Sequence, residues 1–147
     1  MKMYNFSENT IKFFKSYLSN RAPVVRDGEF VSSSRNVLTG VPQGSILGPT
    51  LFLIYINDIH MKLTNSSSLD MYADDSTLHS SGFKTNAIEK ELQDNIDIVK
   101  KWCKMNNMKI NSIKSKCMLI GTSKNLQKQS SLNIYINETL LENVDTH

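Results

Sequence analysis

Apolar residues recur at helical spacing in the first twenty positions. Ile11, Phe14 and Leu18, with Phe13 and Tyr17 beside them, trace one face of a helix. Ser7 is placed to cap it, Glu8 suits the positive end of its dipole, and Phe6 with Ile11 fits a hydrophobic staple. The pattern runs to about Asn20, and Pro23 stops it. Val24-Val25-Arg26 and Glu29-Phe30-Val31 then flank Asp27-Gly28, a pair that supplies the positive φ angles of a tight hairpin turn. Asn36 to Thr39 reads as a further short strand leading into Gly40.

The run Leu51 to Ile56 is apolar throughout, so periodicity does not choose between strand and helix. Pro49 favours a helix, because proline sits well at the first helical position. Such a helix, running to about His60, is apolar nearly all round and is expected deep in the fold. Asn65 to Ser68 reads as a loop. Leu69 to Ala73 and Thr77 to Ser80 read as two strands about a turn at Asp74-Asp75. From Asn86 the period is helical again: Ile88, Leu92, Ile96, Val99 and Cys103 line one stripe next to Trp102, and Asn86 with Glu89 makes a capping box. That helix ends near Asn106-Asn107. Lys109 to Asn111 and Lys116 to Ile120 read as strands around a turn at Ser112 to Lys114. Leu132 to Ile136 and Glu138 to Val144 read as a hairpin. The mixture predicts an α+β chain, and 147 residues make one domain's worth or a piece of a larger one.

Composition adds modest constraints. A 39% hydrophobic and 21% charged chain can build a modest core. The net charge of +3 is weakly suggestive of a polyanionic partner, and most of the excess lies late, at Lys100, Lys101, Lys104, Lys109, Lys114, Lys116, Lys124 and Lys128. On charge alone, solvated lysines are the simpler reading. Cys103 and Cys117 lack metal-ligand spacing, so reduced thiols are the default and Cys103 belongs to core packing. The N-terminus MKMYNF has no apolar signal core, and Leu51 to Ile56 is far too short to cross a bilayer. The expectation is an intracellular protein of nucleus or cytoplasm, neither secreted nor membrane-bound. The oligomeric state is not legible.

Two short stretches carry chemistry. In MYADDSTL, residues 71 to 78, the adjacent carboxylates of Asp74 and Asp75 repel each other and need either solvent or a cation. Strand alternation turns Asp70, Tyr72 and Asp74 one way and Leu69, Met71 and Ala73 toward the core. A hairpin tip with two carboxylates suits Mg²⁺, which takes one or two carboxylates plus substrate phosphates; an ordinary acidic turn explains the same residues. The second stretch repeats glycine every four positions, at Gly40, Gly44 and Gly48, with Pro42 and Pro49 stiffening it. Gln43 is its one long polar side chain, free to hydrogen-bond a base, sugar or phosphate. The alternative is a loop leading into a core helix with Gln43 facing solvent.

In order, GVPQGSILGPTLF at residues 40 to 52 and the YADD of residues 72 to 75 resemble motifs B and C of reverse transcriptases, most closely those of non-LTR retrotransposons of the jockey-like type. Tyr17-Leu18-Ser19-Asn20-Arg21 resembles the stretch before motif B, and Asn111-Ser112-Ile113-Lys114-Ser115, with Trp102 and Leu119, resembles motif D. The resemblance spans nearly the whole chain. It implies a polymerase palm-like fold with a small antiparallel sheet and helices packed on one face. It implies Asp74 and Asp75 as catalytic Mg²⁺ ligands, with Mn²⁺ as a substitute. Tyr72 would pack by the primer end or incoming nucleotide. Pro42, Gln43 and Gly44 would contact template and nucleotide, and Lys114 would protonate the leaving pyrophosphate. The implied partners are an RNA template, a DNA primer and a deoxynucleoside triphosphate (dNTP).

The chain departs from that family in one respect that matters. The family's motif A aspartate would lie upstream of the first helix, and only six residues, none acidic, precede Ser7. Asp27 is already explained as a turn residue, and Asp58, after the apolar helix, is better read as a partner-bound structural carboxylate. Residues 1 to 147 are therefore expected to form a partial reverse transcriptase domain, motifs B to D of the palm, without motif A, fingers, primer grip or thumb. Polymerase activity is expected to be absent from the isolated chain. The rival readings are a non-catalytic nucleic-acid-binding remnant of the palm and a relic that does not fold well.

Overall fold

The computed structural model describes residues 4–64, 67–127 and 131–145. It divides the chain into two compact units, Met1–Ile56 and Asn57–His147.

In the first unit, Ser7 accepts the Thr10 N–H at 3.2 Å and caps α1, Glu8–Leu18, as its sequence predicts. Phe6 meets Phe14 edge-on, with ring centroids 6.3 Å apart. Asp27-Gly28 makes the expected turn, with Gly28 at φ 59°, but the flanking strands β1, Arg26–Asp27, and β2, Phe30–Val31, are only two residues each. The predicted strand at Asn36 to Thr39 reduces to one bridge between Arg21 and Val37. Helix α2 spans Leu47–Ile56, with Pro49 in its first turn, where a missing N–H leaves no intrahelical bond unmade. The expectation of full burial fails. Leu51 and Ile56 are buried, whereas Leu53 and Tyr55 are 55% and 44% exposed, so the largely apolar α2 leaves part of its apolar surface in solvent. The helix also stops at Ile56 and a short 3₁₀ turn follows at His60–Lys62.

The second unit is built on α3, Thr85–Met105. Its start differs from the predicted capping box. Lys84 occupies the cap position without a side-chain bond, and Glu89 accepts the Asn133 N–H at 2.7 Å instead. The two strands before it are β3, Ser67–Tyr72, and β4, Asp75–Ser80. Of the predicted loop at Asn65 to Ser68, Asn65 and Ser66 lie outside the described residues and the remainder is strand. Lys109 to Asn111 forms no strand, and Lys116 to Ile120 gives only β5, Lys116–Cys117. A single turn of helix, α4, follows at Ser123–Leu126. The tail does form a hairpin, β6, Tyr135–Ile136, with β7, Thr139–Leu140, turning at Asn137 with φ 57°. Then β8, Glu142–Asn143, leaves it and pairs in parallel with β5.

The core of this unit comprises Leu132, Ile134, Ile136 and Leu141, packed against Leu92 and Ile96 of α3 and against Ile110, Cys117 and Leu119. Polar residues of α3 also hold the tail. Gln93 accepts the Tyr135 N–H at 2.8 Å and donates to its carbonyl at 3.0 Å. The α+β class stands. A single small antiparallel sheet does not: among the described residues there are four separate two-stranded pieces, one parallel. Strands of two residues offer too few ladder bonds to recruit a third.

Candidate functional site

The β3–β4 hairpin sets the geometry at the acidic pair. Its register pairs Tyr72 with Asp75 and Asp70 with Thr77, leaving Ala73-Asp74 as a two-residue turn. The turn is therefore one residue earlier than the sequence suggested. Ala73 has φ 53°, and Asp74 is not among the positive-φ residues, which is the pattern of a type II′ turn. Glycine is the usual residue at that first position, so the alanine is strained there. Residues opposite each other in an antiparallel pair share a face. Ser67, Leu69 and Met71 are half-buried, and Ser68, Asp70 and Tyr72 face solvent together with Asp75, Thr77 and His79. Asp75, not Asp74, thus shares the outer face with Tyr72, and Asp74 sits in the turn itself.

Three features of this tip bear on chemistry. Tyr72 is 86% exposed, an aromatic ring left in water with its whole face available for stacking. Asp74 and Asp75 are exposed, and their carboxylates make no hydrogen bond or ion pair with other described residues. Asp70, on the same face, is engaged by His79 Nδ1 at 3.4 Å.

The hairpin's base is fixed by a residue the sequence reading passed over. Asn95 is fully buried on α3 and accepts the Thr64 N–H at 3.0 Å. It donates to Thr64 Oγ1 at 2.8 Å, Ser67 Oγ at 3.0 Å and the Glu91 carbonyl at 3.0 Å. Ser67 in turn donates to Glu91 at 2.6 Å. The available signal was an amide lying three residues after Leu92 and next to Ile96, inside an apolar stripe. Asp58 behaves as expected: Trp102 Nε1 donates to it at 3.0 Å, so it is a structural carboxylate.

Lys114 lies in the same unit, on a turn whose construction explains the residue types around it. Asn111 Oδ1 accepts the Lys114 N–H at 3.3 Å, and Ser115 Oγ donates to the Asn111 carbonyl at 2.9 Å. The asparagine and serine brace the turn, and the lysine side chain is left exposed. Cys103 and Cys117 are free thiols. Burial pushes both up from the ordinary thiol range, and Glu89 adds to this at Cys117. Neither is tuned as a nucleophile.

In the first unit, Pro42, Gln43 and Gly44 form one turn. The Ser45 N–H donates to the Pro42 carbonyl at 3.3 Å, and Gly44 has φ 74°, the third-position requirement of a type II turn. Gln43 is exposed at its second position. This loop is tied to α1: Arg21 donates to the Thr39 and Gly40 carbonyls at 3.2 and 2.7 Å and to Leu18 at 3.0 Å, while the Tyr17 hydroxyl bonds Ser45. Gly48 needs no special backbone; it is buried in α2 against Val41 and Pro42.

The family model for reverse transcriptase (RNA-dependent DNA polymerase) matches residues 1–136. The chain belongs to the reverse transcriptase family. It is 36% identical over 107 residues to the probable RNA-directed DNA polymerase from transposon BS of Drosophila melanogaster, a match covering 69% of this chain and 12% of that protein. The RNA-directed DNA polymerase from mobile element jockey, of the same fly, is 33% identical over 106 residues, covering 68% and 12%. The probable enzyme from transposon X-element is 36% identical over 104 residues, with 69% and 12% covered. The chain thus spans about 12% of the length of these relatives. The resemblance to jockey-like retrotransposon enzymes is borne out. No solved structure matches the chain significantly.

Reverse transcriptases generally use divalent metals and act on template, primer and dNTP. Among the described residues of this reverse transcriptase chain, no group of three or more His, Cys, Asp or Glu is arranged to hold an ion. The donor set at the tip nonetheless fits Mg²⁺ or Mn²⁺ in kind: two hard carboxylates, exposed and unengaged.

Proposed function

We propose that the β3–β4 tip is the metal-holding part of an RNA-directed DNA polymerase centre, and that this chain contributes motifs B to D of a palm. The observation that supports it is the pair of adjacent, unengaged carboxylates, Asp74 and Asp75, at a hairpin tip in a chain of this family. In the reaction, the primer 3′-hydroxyl oxygen bonds to the α-phosphorus of a dNTP, and the α–β phosphoanhydride bond breaks. Pyrophosphate leaves, and the hydroxyl proton is released. Bound Mg²⁺ or Mn²⁺ would supply charge neutralisation for both entering and leaving oxygens.

Asp74 and Asp75 hold that charge in place. Tyr72 packs its exposed ring by the primer end or the incoming nucleotide. Pro42 and Gly44 fix the turn from which Gln43 reaches template and nucleotide, and Lys114 delivers a proton to the departing pyrophosphate. Two carboxylates carry the metal, and among the described residues no third acid is grouped with them to hold an ion. For that reason the 147-residue chain alone is expected to give no measurable primer extension on an RNA template; clear extension by pure protein with Mg²⁺ or Mn²⁺ overturns that part.

The metal role is tested separately by titrating Mn²⁺ into the ¹⁵N-labelled chain. Paramagnetic broadening should centre on residues 72 to 75 and vanish in D74N/D75N. Broadening centred elsewhere, or unchanged in that variant, sinks the reading.

A further inference from the structure

The C-terminal half of α3 borders an open cavity of about 740 Å³ that shares no residue with the β3–β4 hairpin. Four lysines line it, Lys100, Lys101, Lys104 and Lys109, against a single acid, Asp97. Asp97 is already engaged by Lys100 at 2.9 Å. Among the described residues, Lys101, Lys104 and Lys109 make no ion pair or hydrogen bond through their ammonium groups. Four lysines against one aspartate leave the lining at +3.

The arrangement has two sources. Positions 97, 100, 101 and 104 fall on one helical face over about 10 Å of axis. Lys109 comes from the segment beyond the helix, after Asn107 reverses the chain with φ 53°. Favourable interaction with the helix dipole accounts for Lys104 in the last turn. It does not account for Lys100 and Lys101 a turn earlier, or for Lys109 five residues past Lys104. Ile110 and Ile136 give the cavity an apolar lining as well. Positive charges gathered around one concavity repel one another, and a ligand carrying several negative charges relieves this.

We propose that this groove is a second nucleic-acid contact, taking the phosphate backbone of a single strand apart from the Asp74-Asp75 tip. Its volume is that of a small-ligand pocket, enough for a few nucleotides and too little to engulf a duplex. The choice of a nucleic-acid strand over other polyanions rests on the polymerase reading above.

The test is fluorescence anisotropy of a labelled single-stranded RNA with the full 147-residue chain, in EDTA, across a salt series. Losing three phosphate contacts makes log Kobs against log[salt] shallower by about 2 for a single strand. K101Q/K104Q/K109Q should show that change and lose at least tenfold in affinity at low salt, with an unchanged far-UV circular dichroism spectrum. K12Q/K15Q on α1 should bind as the parent does. If the triple variant does not fold, K101Q/K109Q carries the same test with a slope change of about 1.4. The parent's slope in the folded variant, or an equal loss in K12Q/K15Q, overturns the proposal. So does loss of binding to phosphatidylserine vesicles with RNA binding intact. The polymerase reading fails instead if Mn²⁺ broadening does not centre on residues 72 to 75, an independent readout.

Discussion

The two units spend their apolar residues differently. In Asn57–His147, a central helix collects Leu132, Ile134, Ile136 and Leu141 into a closed core, and its polar side chains tie down the tail and the hairpin base. In Met1–Ile56, α1 buries no residue fully, and Phe30, Leu38 and Ile46 stand 84%, 90% and 94% exposed. Order there comes from backbone: a capped helix, a type II turn and the Arg21 brace onto two carbonyls. One unit is held by a core and positions carboxylates. The other is held by hydrogen bonds and glycine geometry and positions a glutamine.

The sharpest way to break that contrast is in the core. Ile134→Ala should destabilise the chain by about 3 kcal/mol in urea unfolding, because it opens a cavity where the side chain is 1% exposed. Leu53→Ala, at an exposed position of α2, should stay within about 0.5 kcal/mol. Equal effects would abolish the distinction between the units. Next in size, Asn95→Ala should cost about 2 kcal/mol, since it removes the acceptor of the Thr64 N–H and the donor to the Thr64 and Ser67 hydroxyls. Hydrogen exchange at Thr64 and Ser67 should speed up, while the Gly40–Ser45 amides stay unchanged.

The smallest pair runs in opposite directions. Ala73→Gly should stabilise by about 1 kcal/mol by relieving a positive φ, and Gly44→Ala should destabilise by a similar amount for the reverse reason. Thermal melts of both variants decide it. A loss in Ala73→Gly would mean the turn is not strained as described.

Local chemistry was readable wherever a few neighbouring residues decide the outcome. The Ser7 cap, the Asp27-Gly28 turn, the α3 stripe and the burial of Leu69 and Met71 against exposed Asp70 and Tyr72 all followed from spacing. Errors arose where a distant partner intervened. Glu89 looked like a capping residue and instead holds Asn133, forty-four positions away. Residues 142–143 looked like part of a hairpin and pair with β5 instead. A one-residue shift moved the turn to Ala73-Asp74 and exchanged which aspartate shares the outer face with Tyr72, because side chains alternate with a period of two.

By itself the sequence determined the three main helices and the Asp27-Gly28 turn, since those depend on side-chain type and on dihedral preferences within a few positions. Tertiary structure alone decided the rest. It buried Asn95, left part of α2 wet, braced the glutamine turn with Arg21, and gathered four lysines from two segments around one cavity. Each of these requires contacts between positions far apart in the chain, and their energy exists only once the backbone has closed on itself.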